Sequence, residues 1–185
     1  IELFGKKLEA PIFAAPITGT TLNMGGQISE REYIEPVVKG CIESGVYAMV
    51  GDTAVDAFLL ENLSVLKEHS GQGIVFIKPW ENDDIINKIK LAEESNAIAV
   101  GVDIDACGLV TLSMHGKKVV PKTIEDLKLL KNSTKLPFIV KGIMTPEDAL
   151  MAVEAGVDAI VVSNHGGRVL DCTPGVCEVL PQIAK

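Results

Sequence analysis

Leu136-Pro-Phe-Ile-Val-Lys-Gly-Ile-Met-Thr-Pro-Glu-Asp-Ala-Leu-Met-Ala-Val-Glu-Ala-Gly-Val-Asp-Ala-Ile-Val-Val162 reads as one complete strand-helix-strand unit. Pro137 to Val140 and Ala159 to Val162 are short, largely β-branched or aromatic runs of strand length. Between them Thr145 stands as N-cap, Pro146 at the first helical position, and Glu147 and Asp148 in the first turn. Gly156 lies just past the end, so the punctuation predicts a helix over Pro146 to Glu154. Ala149, Leu150, Val153 and Ala155 make the stripe that such a helix buries against a sheet. Strands joined by a crossover helix run parallel, and the unit therefore sets an α/β fold class.

The same alternation continues upstream. Strands are predicted at Pro11 to Ala15, Tyr47 to Val50, Ile74 to Ile77 and Ala97 to Val102. Helices are predicted near Glu35 to Ser44, Val55 to Lys67, Asp83 to Glu94 and Ile124 to Lys131. At or just after each strand comes a polar or glycine-bearing group: Thr18, Gly51 with Asp52, Lys78, Asp103, Lys141, and Asn164 with His165. Parallel strands present their C-terminal ends on one face, so these groups are expected to converge, as in an open α/β sheet or a βα barrel. Lys78 and Lys141 are the most informative, because a lysine after a fully apolar run is rarely there by default.

Length and charge narrow the possibilities. The 185 residues suit a single domain spanning 1–185, and 47% apolar against 23% charged residues is a folding composition. A net charge of −8 supplies no basic field for a nucleic acid or an anionic membrane surface. The apolar runs are too short to span a bilayer and no signal segment opens the chain, which makes a soluble cytoplasmic protein the default expectation. Cys41, Cys107, Cys172 and Cys177 lack zinc-ligand spacing and are expected as reduced thiols, with no metal site.

Chemistry concentrates in Ser163-Asn-His-Gly-Gly-Arg-Val-Leu-Asp171. His165 supplies an acid–base group, and Arg168, three residues on, supplies a bidentate binder of carboxylate or phosphate. The two glycines between them let backbone approach a flat ligand closely. A satisfied loop histidine and an Arg168–Asp171 salt bridge are the bland alternatives.

From Leu136 to Ile183 the order Lys-Gly-Ile, Glu-Asp-Ala and Ser-Asn-His-Gly-Gly-Arg-x-Leu-Asp resembles the FMN-dependent 2-hydroxy acid oxidases and dehydrogenases. Weaker similarity runs back through Val102-Asp103 to Pro11-Ile-Phe-Ala-Ala-Pro16. The resemblance implies a (βα)8 barrel, of which this chain supplies about six βα units, with FMN across the C-terminal face of the strands. It implies oxidation of a small L-2-hydroxy acid to the 2-oxo acid. In that scheme His165 is the base, Asp103 pairs with it, and Arg168 holds the substrate carboxylate. Lys141 faces the N1 side of the flavin, and Pro16, Ile17, Thr18, Gly51 and Gly101 line the cofactor. It further implies a homo-oligomer.

Several positions depart from the family pattern. Lys78 and Trp80 stand where the family has a flavin-contacting Gln and a substrate-contacting Tyr, and Gly101 replaces a Thr. The second carboxylate-binding Arg has no counterpart in Cys107-Gly-Leu-Val110. Lys78 is therefore expected to restore a positive charge at the flavin or carboxylate, and Trp80 to contact substrate. The family's two further strands, with their FMN phosphate segments, have no match after Ile183, so the chain is read as a fragment. Two other readings stay open. One is a non-oxidative FMN barrel enzyme similar to the type 2 isopentenyl diphosphate isomerases, and the other is a binding protein that has kept the scaffold without catalysis.

Overall fold

The computed structural model describes residues 1–185. The chain opens with a hairpin of β1 (Glu2–Leu3) and β2 (Lys6–Lys7), followed by α1 (Thr20–Asn23) and α2 (Glu30–Glu43). Then come β3 (Ala48–Gly51), α3 (Asp56–Glu68), β4 (Gly73–Ile77), α4 (Asn82–Glu94) and β5 (Ala99–Asp103). A 3-10 turn over Ile104–Gly108 and the short α5 (Val110–Ser113) lead to α6 (Ile124–Asn132) and β6 (Phe138–Ile143). The chain closes with α7 (Pro146–Ala155), β7 (Ala159–Val162), a 3-10 turn over His165–Gly167 and α8 (Val176–Ile183). Strands β3 to β7 follow one another in chain order in one five-stranded sheet, so the fold is α/β as the alternation predicts. No helix is long and apolar enough to cross a membrane.

Two compact units divide the chain, residues 1–77 with 88–100, and residues 78–87 with 101–185. In the first, β3 and β4 pair in parallel from Ala48 opposite Gly73 to Gly51 opposite Phe76. Every residue of β4 is buried, which suits its unbroken Gly-Ile-Val-Phe-Ile run. The expected first strand, Pro11 to Ala15, is reduced to a single bridge between Ala14 and Ala48, held by Met49 N–H on the Ala14 carbonyl at 3.1 Å. Pro11 and Pro16 bring no N–H to a ladder, and Ile12 stands 66% exposed. Helix α2 begins five residues before its expected start because Ser29 and Glu32 form a capping box.

In the second unit β6 and β7 are parallel, with a register shift between Lys141 and Ile143. The intervening Gly142 adopts φ +108, which only glycine adopts readily. Helix α7 has the predicted cap, with Thr145 Oγ1 accepting from Asp148 N–H at 3.1 Å, and Gly156 closes it in the left-handed conformation.

Its buried face differs from the expected stripe. Ala149, Ala152 and Ala155 are buried, while Leu150 and Val153 are 68% and 72% exposed. Small residues at every third position allow close helix approach, and this rotates the bulkier pair outward. All four cysteines are free thiols, and burial pushes those of Cys41 and Cys107 above the usual range.

Candidate active site

The second unit gathers five ionisable side chains. Asp103 ends β5, a strand buried along its whole length, and its own exposure is 2%. Lys78 Nζ donates to Asp103 Oδ2 at 2.6 Å, and Lys141 Nζ, from the middle of β6, donates to Oδ1 at 2.7 Å. Burial opposes an ionised Asp103. The ammonium groups of Lys78 and Lys141, with His165, outweigh that penalty and hold the carboxyl down at about 2, against an ordinary 3.8.

His165 sits in a turn whose residues Gly166 and Gly167 are both left-handed, and it shares that conformation itself at φ +58. A left-handed non-glycine residue costs about 1–2 kcal/mol. Its neighbours hold it there: His165 N–H donates to Ser163 Oγ at 3.1 Å, and Gly167 N–H donates to Asn164 Oδ1 at 3.3 Å. The Ser-Asn-His-Gly-Gly string thus builds its own turn, and the His165 side chain is only 11% exposed.

The imidazole's nearest carboxylate is a finding of the structure. Nδ1 lies 2.9 Å from Asp105 Oδ1, 3.7 Å from Asp103 Oδ1 and 3.5 Å from Lys141 Nζ. Asp103 was the expected partner, but lysines approach both of its oxygens more closely. At 2.9 Å an ionised Asp105 accepts from Nδ1–H. Asp103, Asp105 and His165 could together offer atoms to a metal ion. Lys78 and Lys141 already fill the cationic positions around Asp103, so the donor set does not favour one.

Gly101, Trp80 and Arg168, the other expected residues of this unit, each lie two or three residues from a member of the cluster. Gly101 is buried within β5. Trp80 is 1% exposed, with Lys117 Nζ 5.2 Å from its ring centroid and Lys122 Nζ bonded to its carbonyl at 2.5 Å. Arg168 is exposed just past the His165–Gly167 turn.

The first unit holds Pro16, Ile17, Thr18 and Gly51. Thr18 is buried, Ile17 is half exposed, and a Cβ at Gly51 would meet the Pro16 carbonyl oxygen at 2.7 Å and Thr18 Cγ2 at 2.8 Å. Only glycine permits that approach, which joins three of the four positions. Two residues that sequence reasoning passed over fix this loop. The buried Glu30 carboxylate accepts from Thr18 Oγ1, from Gly19 N–H at 3.0 Å and from Thr20 N–H at 2.9 Å. Asn62 Nδ2 donates to Thr18 Oγ1 at 3.0 Å and to the Gly51 carbonyl at 3.1 Å. Glu30 opens α2, but the capping box there is formed by Ser29 and Glu32 and leaves the role of Glu30 unmarked in the sequence.

Residues 110–185 match the model of a family described as FMN-dependent dehydrogenase. An L-lactate oxidase of Lentilactobacillus hilgardii is 28% identical over 210 residues, covering 100% of this chain and 56% of that protein. A 2-hydroxyacid oxidase of Dictyostelium discoideum is 60% identical over 63 residues, 34% of this chain and 16% of that protein. Among solved structures, a mandelate oxidase variant with 2-hydroxy-phenylacetamide superposes with TM-score 0.78 at 26% identity, over 99% of this chain and 56% of that one. Another, with the monooxide FMN adduct, gives 0.73 at 26% identity. The chain spans about half the length of the relatives it matches from end to end.

Proposed function

We propose that the protein, whose residues 110–185 match the model of the FMN-dependent dehydrogenase family, oxidises a small L-2-hydroxy acid to the 2-oxo acid. The observation that carries this reading is a largely enclosed imidazole whose Nδ1 lies 2.9 Å from the Asp105 carboxylate. The donor set fits FMN: two buried ammonium groups, Lys78 and Lys141, suit a ring that becomes anionic on reduction. FMN, when bound, supplies the acceptor for the two electrons that the alcohol carbon loses.

The chain's own residues do the rest. His165 takes a proton at Nε2 from the substrate's C2 or its hydroxyl, and Asp105 and Asp103 stabilise the imidazolium so formed. Arg168 binds the substrate carboxylate with its planar fork. Lys141 and Lys78 keep fixed positive charge where the cofactor ring is held. In the first unit, the Pro16–Thr18 backbone and Gly51 line the cofactor, with Glu30 and Asn62 fixing their shape. The buried Trp80 serves as a wall.

An anaerobic visible spectrum of the FMN-loaded protein, taken with a panel of L-2-hydroxy acids, tests the reading. One acid is expected to bleach the oxidised flavin. His165→Ala is expected to slow bleaching by about 10²- to 10⁴-fold, the usual contribution of a positioned acid–base group. Bound flavin that no hydroxy acid bleaches would overturn it.

A further inference from the structure

We infer that Asp105, rather than Asp103, is the positioning residue that fixes the ring and tautomer of His165, while Asp103 serves as the counter-ion of Lys78 and Lys141. The inference rests on the reading of His165 as the base.

The charged groups facing the imidazole come from three elements. Asp103 comes from the end of β5, Asp105 from the turn after it, and Lys141 from β6. Only Asp105 approaches within a normal hydrogen bond, at 2.9 Å. Its other oxygen, Oδ2, is buried without a hydrogen-bond partner, so the bond to Nδ1 is the one on which this carboxylate depends. Asp103 is occupied differently, with one lysine on each oxygen.

Two glycines explain how Asp105 reaches that position. A Cβ on Gly142 would lie 2.7 Å from both Cβ and Cγ of Asp105 and 2.8 Å from its backbone nitrogen. A Cβ on Gly108, at the far end of the same turn, would lie 2.4 Å from Val169 Cγ1. The turn over Ile104–Gly108 is thereby pressed against β6 on one side and against the segment following His165 on the other. The left-handed Gly142 of the Lys-Gly-Ile string gains a purpose: it makes room for the carboxylate that orients the base.

The reason for the division lies at Lys78. A cation on Asp103 Oδ2, added to Lys141 on Oδ1, leaves the buried Asp103 carboxylate committed to two ammonium groups. A second carboxylate two residues on then takes the imidazole proton.

The test is nitrogen NMR of the imidazole rings in the flavin-free protein, with long-range proton–nitrogen correlations and His165 assigned by its absence in His165→Asn. The neutral ring is expected to carry its proton on Nδ1 in the parent protein and in Asp103→Asn. In Asp105→Asn that preference is expected to be lost or reversed, because an amide can donate as well as accept. Gly142→Ala, which displaces Asp105 without changing its chemistry, is expected to weaken the preference too. Flavin reduction by the accepted hydroxy acid should then fall by about 10- to 100-fold in Asp105→Asn with little change in KM, a part of what a well-oriented acid–base group contributes. An unchanged tautomer in Asp105→Asn, or its loss in Asp103→Asn, would overturn the assignment. The spectra need neither flavin nor turnover, so a failure of the oxidase reading shows separately, as unbleached flavin with an intact Nδ1–H signal.

Discussion

The two units solve the burial of charge in opposite ways. In the first, Glu30 takes its hydrogen bonds from a hydroxyl and two backbone N–H groups, and Lys88 reaches Asp52 at 3.1 Å and Asp56 at 2.6 Å. These bonds shape backbone: the Thr18–Thr20 turn and the start of α3. In the second unit, by contrast, charged side chains face mainly one another, Lys78 and Lys141 on Asp103 and His165 on Asp105. A carboxylate that binds backbone holds a loop still, whereas one that binds ionisable side chains sets their charge and orientation. The second arrangement is the one that proton transfer requires.

The largest expected break in this contrast is Asp103→Ala, which removes the carboxylate that both buried ammonium groups bond. Removing one partner of a buried pair costs about 3–5 kcal/mol, to be read from the urea midpoint at constant m. In the first unit, Glu30→Ala leaves the Thr18 hydroxyl and two backbone N–H groups without their acceptor. About 2–3 kcal/mol is expected there, by the usual penalty for buried unsatisfied groups. FMN affinity should fall with it, while His165 keeps its Nδ1 proton. A changed His165 tautomer in Glu30→Ala would show that the two networks are not separate in function.

The pH dependence of stability sharpens the comparison with a smaller effect. Asp103 is depressed in the folded state, so its contribution is full above its ordinary 3.8 and is lost as pH falls towards about 2. The shift corresponds to about 2 kcal/mol. Lys88 runs the other way. Burial lowers its pKa, but Asp52 and Asp56 more than compensate, and the ammonium is held above the ordinary 10.5. Its contribution is full below that value and disappears as pH rises beyond it. Urea midpoints measured across pH should therefore lose an acid limb in Asp103→Asn and an alkaline limb in Lys88→Met.

The smallest effect is expected at α7. Leu150→Ser and Val153→Ser should each change stability by about 0.5 kcal/mol or less, as exposed substitutions do. Ala152→Leu, on the buried face of the same helix, should cost about 1–3 kcal/mol through overpacking. Thermal unfolding of the three variants side by side checks both.

Sequence by itself determined the alternation of strands and helices, the capped helix from Thr145 to Gly156, and the identity of the chemical groups in Ser163-Asn-His-Gly-Gly-Arg168. These follow from local rules: hydrophobic period, cap chemistry, and backbone conformations that glycine permits. It also marked Lys78, Asp103 and Lys141, since each polar group ends or interrupts an apolar strand. Tertiary structure alone decided which of those groups meet. Asp105, Glu30 and Asn62 carry no local signal of their roles, because their partners lie 60, 10 to 12, and 11 to 44 residues away in the chain. The buried side of α7 was decided in the same way, by how closely alanines let a helix approach its neighbours. Short-range preferences are written residue by residue, but a charge chooses its partner only when folding brings candidates within 3 Å and removes the water between them.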